Sequence, residues 1–277
     1  MGITAAEVNK LRMQTGAGMM DCKNALVEAD GDFEKAIDLL RKKGQKVSEM
    51  RAGKDANEGI IVAKVSENKK MGIIIKINCE TDFVAENEEF KQFVESIAVT
   101  ALENKPATIE ELQNLTLSTN SHTVSEEISN QVGRIGEKIE LSEYGFVDSE
   151  AVIAYNHAGN RIGVLVGLNA EVSGESETVA KDVAMQIAAM KPMAIDKDGI
   201  DQAVIDREMQ VAKEQAREQG KPEEIIEKIA IGKLNKFYSE RTLLNQVYVK
   251  DSSKSIRNIL EEVDKDLTVT SFKRVSL

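Results

Sequence analysis

The chain has no tryptophan, three prolines, two cysteines and two histidines in 277 residues, and only 4% of it is aromatic. Each shortage excludes something. Cys22 and Cys79 are far apart and form no CxxC pair, so the usual Cys/His zinc arrangements are ruled out. Both lie among apolar residues ("MMDCKNAL", "IKINCETD"), a setting for packed, reduced thiols rather than reactive thiolates, which need positive, exposed surroundings. Few prolines leave little material for rigid linkers. No apolar run approaches the ~20 residues that span a bilayer, and "MGITAAEVNK" lacks a signal peptide's apolar core, so the chain reads as cytoplasmic with no membrane partner. A net charge of −11 provides no surplus of Lys and Arg for phosphates, which argues against direct nucleic-acid binding and for a protein partner.

What is present is an ordinary globular composition, 42% apolar and 30% charged, in a chain longer than one typical domain. Residues 4–43 read as three short amphipathic helices. Thr4 can cap the first, "TGAG" breaks it, and Met19, Met20, Ala25, Leu26 and Ala29 mark the second. Asp32 can cap a third carrying Phe33, Ala36, Ile37 and Leu40, with Gly44 just past its basic end. Three such helices bury little surface, and small modules of this kind are usually docking units. The polar stretch 45–58 reads as a linker or as an extension of the third helix.

Beyond it the period changes. "GIIVAKV" and "MGIIIKI" predict a hairpin whose second strand is central and buried, and Phe90, Phe93, Val94, Ile97, Ala98 and Ala101 then keep helical spacing. The same order returns in "AVIAYNHAGNRIGVLVGLNAEVSGESETVAKDVAMQIAAMKP". Gly72, Asn78 and Glu80 align with Gly163, Asn169 and Glu171, and Phe93, Val94, Ile97 and Ala98 with Val183, Ala184, Ile187 and Ala188. This is a duplicated β-β-α unit, and the fold class is α+β. Helices are also expected at "TIEELQNL" and "VSEEISNQVGRIGEKI". A helical hairpin is expected around Gly220-Lys221-Pro222, and a closing strand at "LTVTSFKRV". The resulting division is 1–54 for the three-helix module and linker, 55–145 for the N-terminal half of the core, 146–192 with 233–277 for its C-terminal half, and 193–232 for an inserted antiparallel hairpin.

The duplication isolates one segment. Where the first copy has Thr81-Asp82-Phe83-Val84, the second has Val172-Ser173-Gly174, so the scaffold itself does not require a phenylalanine there. Phe83 either anchors its loop to the following helix as a hydrophobic staple or is presented to another protein, where binding energy concentrates in aromatic anchors. Met19 and Met20 carry the same ambiguity, because adjacent helical residues cannot both face one core. Enzyme readings are weak. Gly16-Ala17-Gly18 follows no strand and lacks the rest of a phosphate-loop motif, and the carboxylates around Phe83 come with no histidine or cysteine base. His157, in "YNHAGNR", falls in a hairpin turn.

At these residues the chain resembles a known family. "ITAAEVNKLRMQTGAGMMDCKNALVEADGD", "NCETDFVAENEEF", "HAGNRIGVLV", "AMQIAAMKP" and "GKPEEIIEKIAIGKLNKF" are similar to the bacterial translation elongation factor Ts family along essentially the whole length. The resemblance implies a non-enzymatic guanine-nucleotide exchange factor for elongation factor Tu, with no cofactor, metal site or catalytic residue of its own. It implies that the N-terminal module is similar to ubiquitin-associated domains and docks on the partner's GTPase domain, with Arg12, Met19, Met20 and Lys23 at contact positions. Thr81, Asp82, Phe83 and Val84 would form the loop that disturbs the partner's magnesium and phosphate site. Ile135, Gly136 and His157 also match contact positions, the second half of the core would lean on a distal domain of the partner, and residues 193–232 match a hairpin through which some members form homodimers. Two departures are visible. The chain runs to "SFKRVSL" without the "GEGIEK"-like segment common in the family, so that partner contact is expected to be absent or replaced, and the linker is less basic than usual. A passive adaptor built on the three-helix module is the alternative reading, and a hydrolase or thiol enzyme comes third.

Overall fold

Thr4 begins the first helix as the residue pattern requires. Its hydroxyl accepts the Glu7 N–H while the Glu7 carboxylate accepts the Thr4 N–H, a reciprocal capping box at the head of α1 (Ala5–Thr15). In the computed structural model, which describes residues 2–277, α1 ends at Gly16 in the left-handed conformation and is followed by α2 (Met19–Glu28) and α3 (Phe33–Arg51). Asp32 caps α3 through the Lys35 N–H. Val8, Leu11, Cys22, Ala25, Leu26 and Ala36 form a small core of their own. Helix α3 does not stop at Gly44 but runs to Arg51, leaving a connection of a few residues.

The chain then passes through β1 (Glu58–Val65), β2 (Met71–Cys79), α4 (Asp82–Glu86), α5 (Glu88–Asn104), α6 (Ile109–Asn114), α7 (Val124–Ile135) and β3 (Ile139–Asp148). Strand β2 is the middle of an antiparallel sheet of order β1-β2-β3. The second passage comprises β4 (Ala151–Asn156), β5 (Ile162–Leu168), α8 (Glu175–Met190), α9 (Gln202–Glu218), α10 (Glu223–Arg241), the short β6 (Val247–Tyr248) and β7 (Asp251–Ser255), α11 (Ile256–Val263) and β8 (Val269–Ser276). Its sheet has the order β4-β5-β8. The repeat is therefore β-β-α-β. Strand β3 escaped the sequence reading because Glu140, Glu143 and Gly145 interrupt its alternation and a register shift opposite Lys76/Ile77 breaks its period.

Each sheet buries one face under its own helix, α5 over β1 and β2, α8 over β4 and β5. The other two faces pack on one another through Ile61, Ala63, Ile74, Val147, Val152, Leu165 and Val275. Equivalent glycines allow that approach. A Cβ on Gly72 would meet Val152 and Leu165 at 2.9 and 2.8 Å, and one on Gly163 would meet Ile61 and Ile74 at 2.6 and 2.9 Å, the equivalent residues of the opposite copy.

The extension of α3 has a partner. It crosses α7 with Gly44 against Gly133, so close that a Cβ on Gly133 would lie 2.6 Å from the Gly44 Cα. Burial of Gly44 in that crossing keeps the helix continuous where its composition alone suggested an end. Helices α9 and α10 pair as the helical hairpin. Gly220 (φ 68) turns the chain, Pro222 precedes α10, and α10 continues beyond residue 232 to Arg241. Ile226 and Ala230 of α10 are buried, as are Ala212 and Ala216 of α9, while Ile225 stays exposed.

Candidate functional site

Phe83 is 84% exposed. Thr81 caps the short helix α4 by accepting the Val84 N–H at 3.4 Å, and Val84 and Ala85 turn toward the core. Asp82 and Phe83 are left facing outward. The staple alternative does not hold, because the ring is in solvent. The following helix is capped instead by Asn87, whose side chain accepts the Glu89 and Phe90 N–H groups, and its buried anchors are Phe90 and Phe93.

An aromatic side chain in water suits a partner only if its backbone is held, since ordering a loose loop on binding costs free energy. Here the loop is clamped on both sides of β2's end. The Glu137 carboxylate accepts the Thr81 N–H at 3.0 Å and the Thr81 hydroxyl at 2.8 Å. In return the Glu80 carboxylate accepts the Lys138 N–H at 2.6 Å. Arg51, the last residue of α3, donates to both Glu80 oxygens at 3.0 and 3.2 Å. Cys79 is fully buried just before this clamp and its thiol donates to the Thr81 carbonyl. Burial, aided by the Glu137 charge, pushes that thiol's pKa up to about 12, so it is inert at neutral pH.

The other expected contact residues lie on other elements. Arg12 lies in the last turn of α1, Met19 and Met20 in the first turn of α2, and Lys23 one turn on; all four are exposed. The choice between one buried and one exposed methionine resolves as neither buried, at 49% and 63% exposure, with Met13 beside Arg12 also in solvent. The three-helix module meets the core at Arg134 of α7, whose side chain packs over Gly16 and pairs with Glu89 of α5 at 3.4 Å, and Arg12, Met13, Glu89 and Arg134 line the groove there. Ile135 and Gly136 end α7 immediately before Glu137, Ile135 half-buried against the core and Gly136 at φ 81 as the left-handed cap.

His157 is exposed in the β4–β5 turn, its ring bonded to the Tyr155 hydroxyl at 2.9 Å. The same turn carries Arg161, which pairs with Glu58 at 2.5 Å, and Glu58 faces Cys79 in the β1–β2 ladder. Hydrogen bonding to Glu58 and its charge raise the Arg161 pKa, with Asp82 adding in the same direction. The His157 turn thus lies at the same end of the molecule as α4.

The second copy has nothing comparable. Val172 packs against its core, Gly174 precedes α8 directly, and Glu171 is exposed with Lys70 at 3.4 Å. Its strand junction is held by Asn169, which bonds the backbone of Asp266 and Thr268. Glu137, Arg51 and Arg134 were not singled out from sequence. Their partners lie tens of positions away, and no local pattern announces them. Among the described residues no three His, Cys, Asp or Glu side chains converge to hold a metal ion.

A family model described as Elongation factor TS matches residues 80–277, from the clamped loop to the end. The chain belongs to the elongation factor Ts family. It is 52% identical over 275 residues to the elongation factor Ts of Cytophaga hutchinsonii, with 99% of each chain covered. It is 51% identical over 276 residues to that of Amoebophilus asiaticus, again covering 99% of each. With that of Christiangramia forsetii it shares 48% over 275 residues, 99% of this chain and 98% of the relative. No helix is long and apolar enough to cross a membrane among the described residues.

Proposed function

We propose that the chain is a guanine-nucleotide exchange factor for elongation factor Tu that releases GDP by inserting Phe83, with Asp82 beside it, near the partner's magnesium and phosphate site. The observation that carries this reading is the exposure of Phe83 on a clamped backbone, in only one of two otherwise equivalent copies. Magnesium bridges protein ligands and nucleotide phosphates, so its coordination contributes strongly to GDP affinity. A phenyl ring that displaces an element near the metal weakens that coordination, and no covalent step is needed.

Arg12, Met19, Met20 and Lys23 dock the three-helix module on the partner's GTPase domain. Thr81 and Val84 hold the inserted residues, Ile135 and Gly136 contact the partner beside them, and His157 serves the core's second half, which leans on a distal domain. The division into a docking module (1–54), two core halves (55–145; 146–192 with 233–277) and an inserted hairpin (193–232) belongs to the same reading. So does self-association through the hairpin, whose exposed Val211, Ile225 and Ile231 are the surface for it.

Exchange requires linkage: a protein that favours the nucleotide-free partner is displaced by GDP to the extent that it displaces GDP. Titration calorimetry with elongation factor Tu, nucleotide-free and then saturated with GDP, tests this. Much tighter binding to the nucleotide-free form is expected. Equal affinity for both forms would replace exchange by passive binding.

A further inference from the structure

We infer that Glu137 and Glu80 are positioning residues for the Phe83 loop, forming a reciprocal carboxylate clamp that fixes Phe83 before any partner arrives. The inference rests on the reading of that loop as the exchange element. Each glutamate accepts a backbone N–H from the other's neighbour: Glu137 from Thr81 at 3.0 Å, Glu80 from Lys138 at 2.6 Å. Each also holds a side chain, the Thr81 hydroxyl at 2.8 Å and the Arg51 guanidinium at 3.0 Å. Hydrogen bonds to ionised acceptors are about twice as strong as neutral ones, and these are part-buried, where water competes less.

Position makes the clamp specific. Thr81 is both the residue held by Glu137 and the cap of α4, so the orientation of α4 and of Phe83 on it follows Glu137. Glu80 adds a second constraint by tying the same loop to Arg51 at the end of α3, the helix that carries the docking module. The second copy has the equivalent Glu171 but leaves it exposed, and holds its junction with Asn169, just past the end of β5. The clamp accompanies the phenylalanine and not the fold.

Two readouts separate positioning from mere structure and from direct partner contact. The chain has no tryptophan, so Phe83→Trp places a single indole fluorophore at the loop. Its time-resolved anisotropy in the free protein, with and without Glu137→Ala, reports loop motion with no partner present. In the Phe83 background, release of a fluorescent GDP analogue from elongation factor Tu, measured over a range of exchange-factor concentrations, separates the maximal rate from the half-saturating concentration.

Glu137→Ala is expected to lower the residual anisotropy of the introduced indole, and to lower the maximal rate at least fivefold with half-saturation within twofold. Glu137→Gln, which can still accept one of the two hydrogen bonds, should recover much of both. An unchanged anisotropy overturns the inference, as does a loss appearing only in half-saturation, which would make Glu137 a partner contact. If the unsubstituted protein does not accelerate release, the exchange reading fails, and the anisotropy still decides the clamp. Should Glu137→Ala not unfold cooperatively, Arg51→Met, which removes the guanidinium held by Glu80 and leaves the Thr81 cap in place, must loosen the introduced indole for the clamp to stand.

Discussion

The two copies of the β-β-α-β unit share a strand order, equivalent glycines and a helix on the same face, yet their strand-to-helix junctions diverge after Glu80 and Glu171. The second closes its junction simply, with Val172 on the core and Gly174 leading straight into α8. The first inserts a short helix, clamps it with two glutamates and exposes a phenylalanine. Packing alone is satisfied by the simpler junction. What the first copy adds is an apolar group kept in water at a defined place; burying a ring of that size on a partner would contribute roughly 1.5–3 kcal/mol.

That contrast can be broken by making the first junction resemble the second. Thr81→Val, Asp82→Ser and Phe83→Gly together should leave a folded protein whose exchange activity falls by roughly 30-fold or more, the kinetic equivalent of losing an anchor worth ~2 kcal/mol; stopped-flow nucleotide release checks it. The likeness of the copies is tested by the glycines between the sheets. Gly72→Val and Gly163→Val should each destabilise by about 1–3 kcal/mol through overpacking, and to similar extents, in urea unfolding; a large loss at one and none at the other would deny the equivalence.

A third change bears on how the three-helix module is fixed to the first copy. Gly133→Val forces α7 away from Gly44, so half-saturation of exchange should rise severalfold while the maximal rate changes less. Smallest is the effect of pH. Burial raises the pKa of Cys22 and pushes those of Cys79 and Tyr144 up to about 12. Below about pH 8 neither state loses the Cys79 and Tyr144 protons; between about 9 and 12 the unfolded chain releases them and the native one does not, so stability falls as pH rises through that window, with Cys22 adding in the same direction. Unfolding midpoints measured from about pH 8 to 11 check this, and native Cys22 and Cys79 should resist alkylation at about pH 8 until urea is added.

Much of the scaffold was legible in the residues. Thr4 and Asp32 cap the helices they were assigned to, and the alignment of Phe93, Val94, Ile97 and Ala98 with Val183, Ala184, Ile187 and Ala188 places buried residues opposite buried residues. These features depend on neighbours within a turn or on periodicity, which a sequence displays directly. The length of α3, the strand β3 and the clamp depend on tertiary contacts. Gly44 stays helical because Gly133 receives it, and Glu80 meets Lys138 only once β3 lies beside β2. The exposure of Phe83 was equally undecided, since a staple and a presented ring have the same spacing.

The most direct test is stopped-flow release of a fluorescent GDP analogue from elongation factor Tu, with the unsubstituted protein, Phe83→Ala, or neither. Because the ring contacts solvent, Phe83→Ala should unfold within about 0.5 kcal/mol of the original. The expected result is strong acceleration by the original and little by the variant. Equal acceleration by both would contradict the assignment of Phe83 as the group that releases GDP.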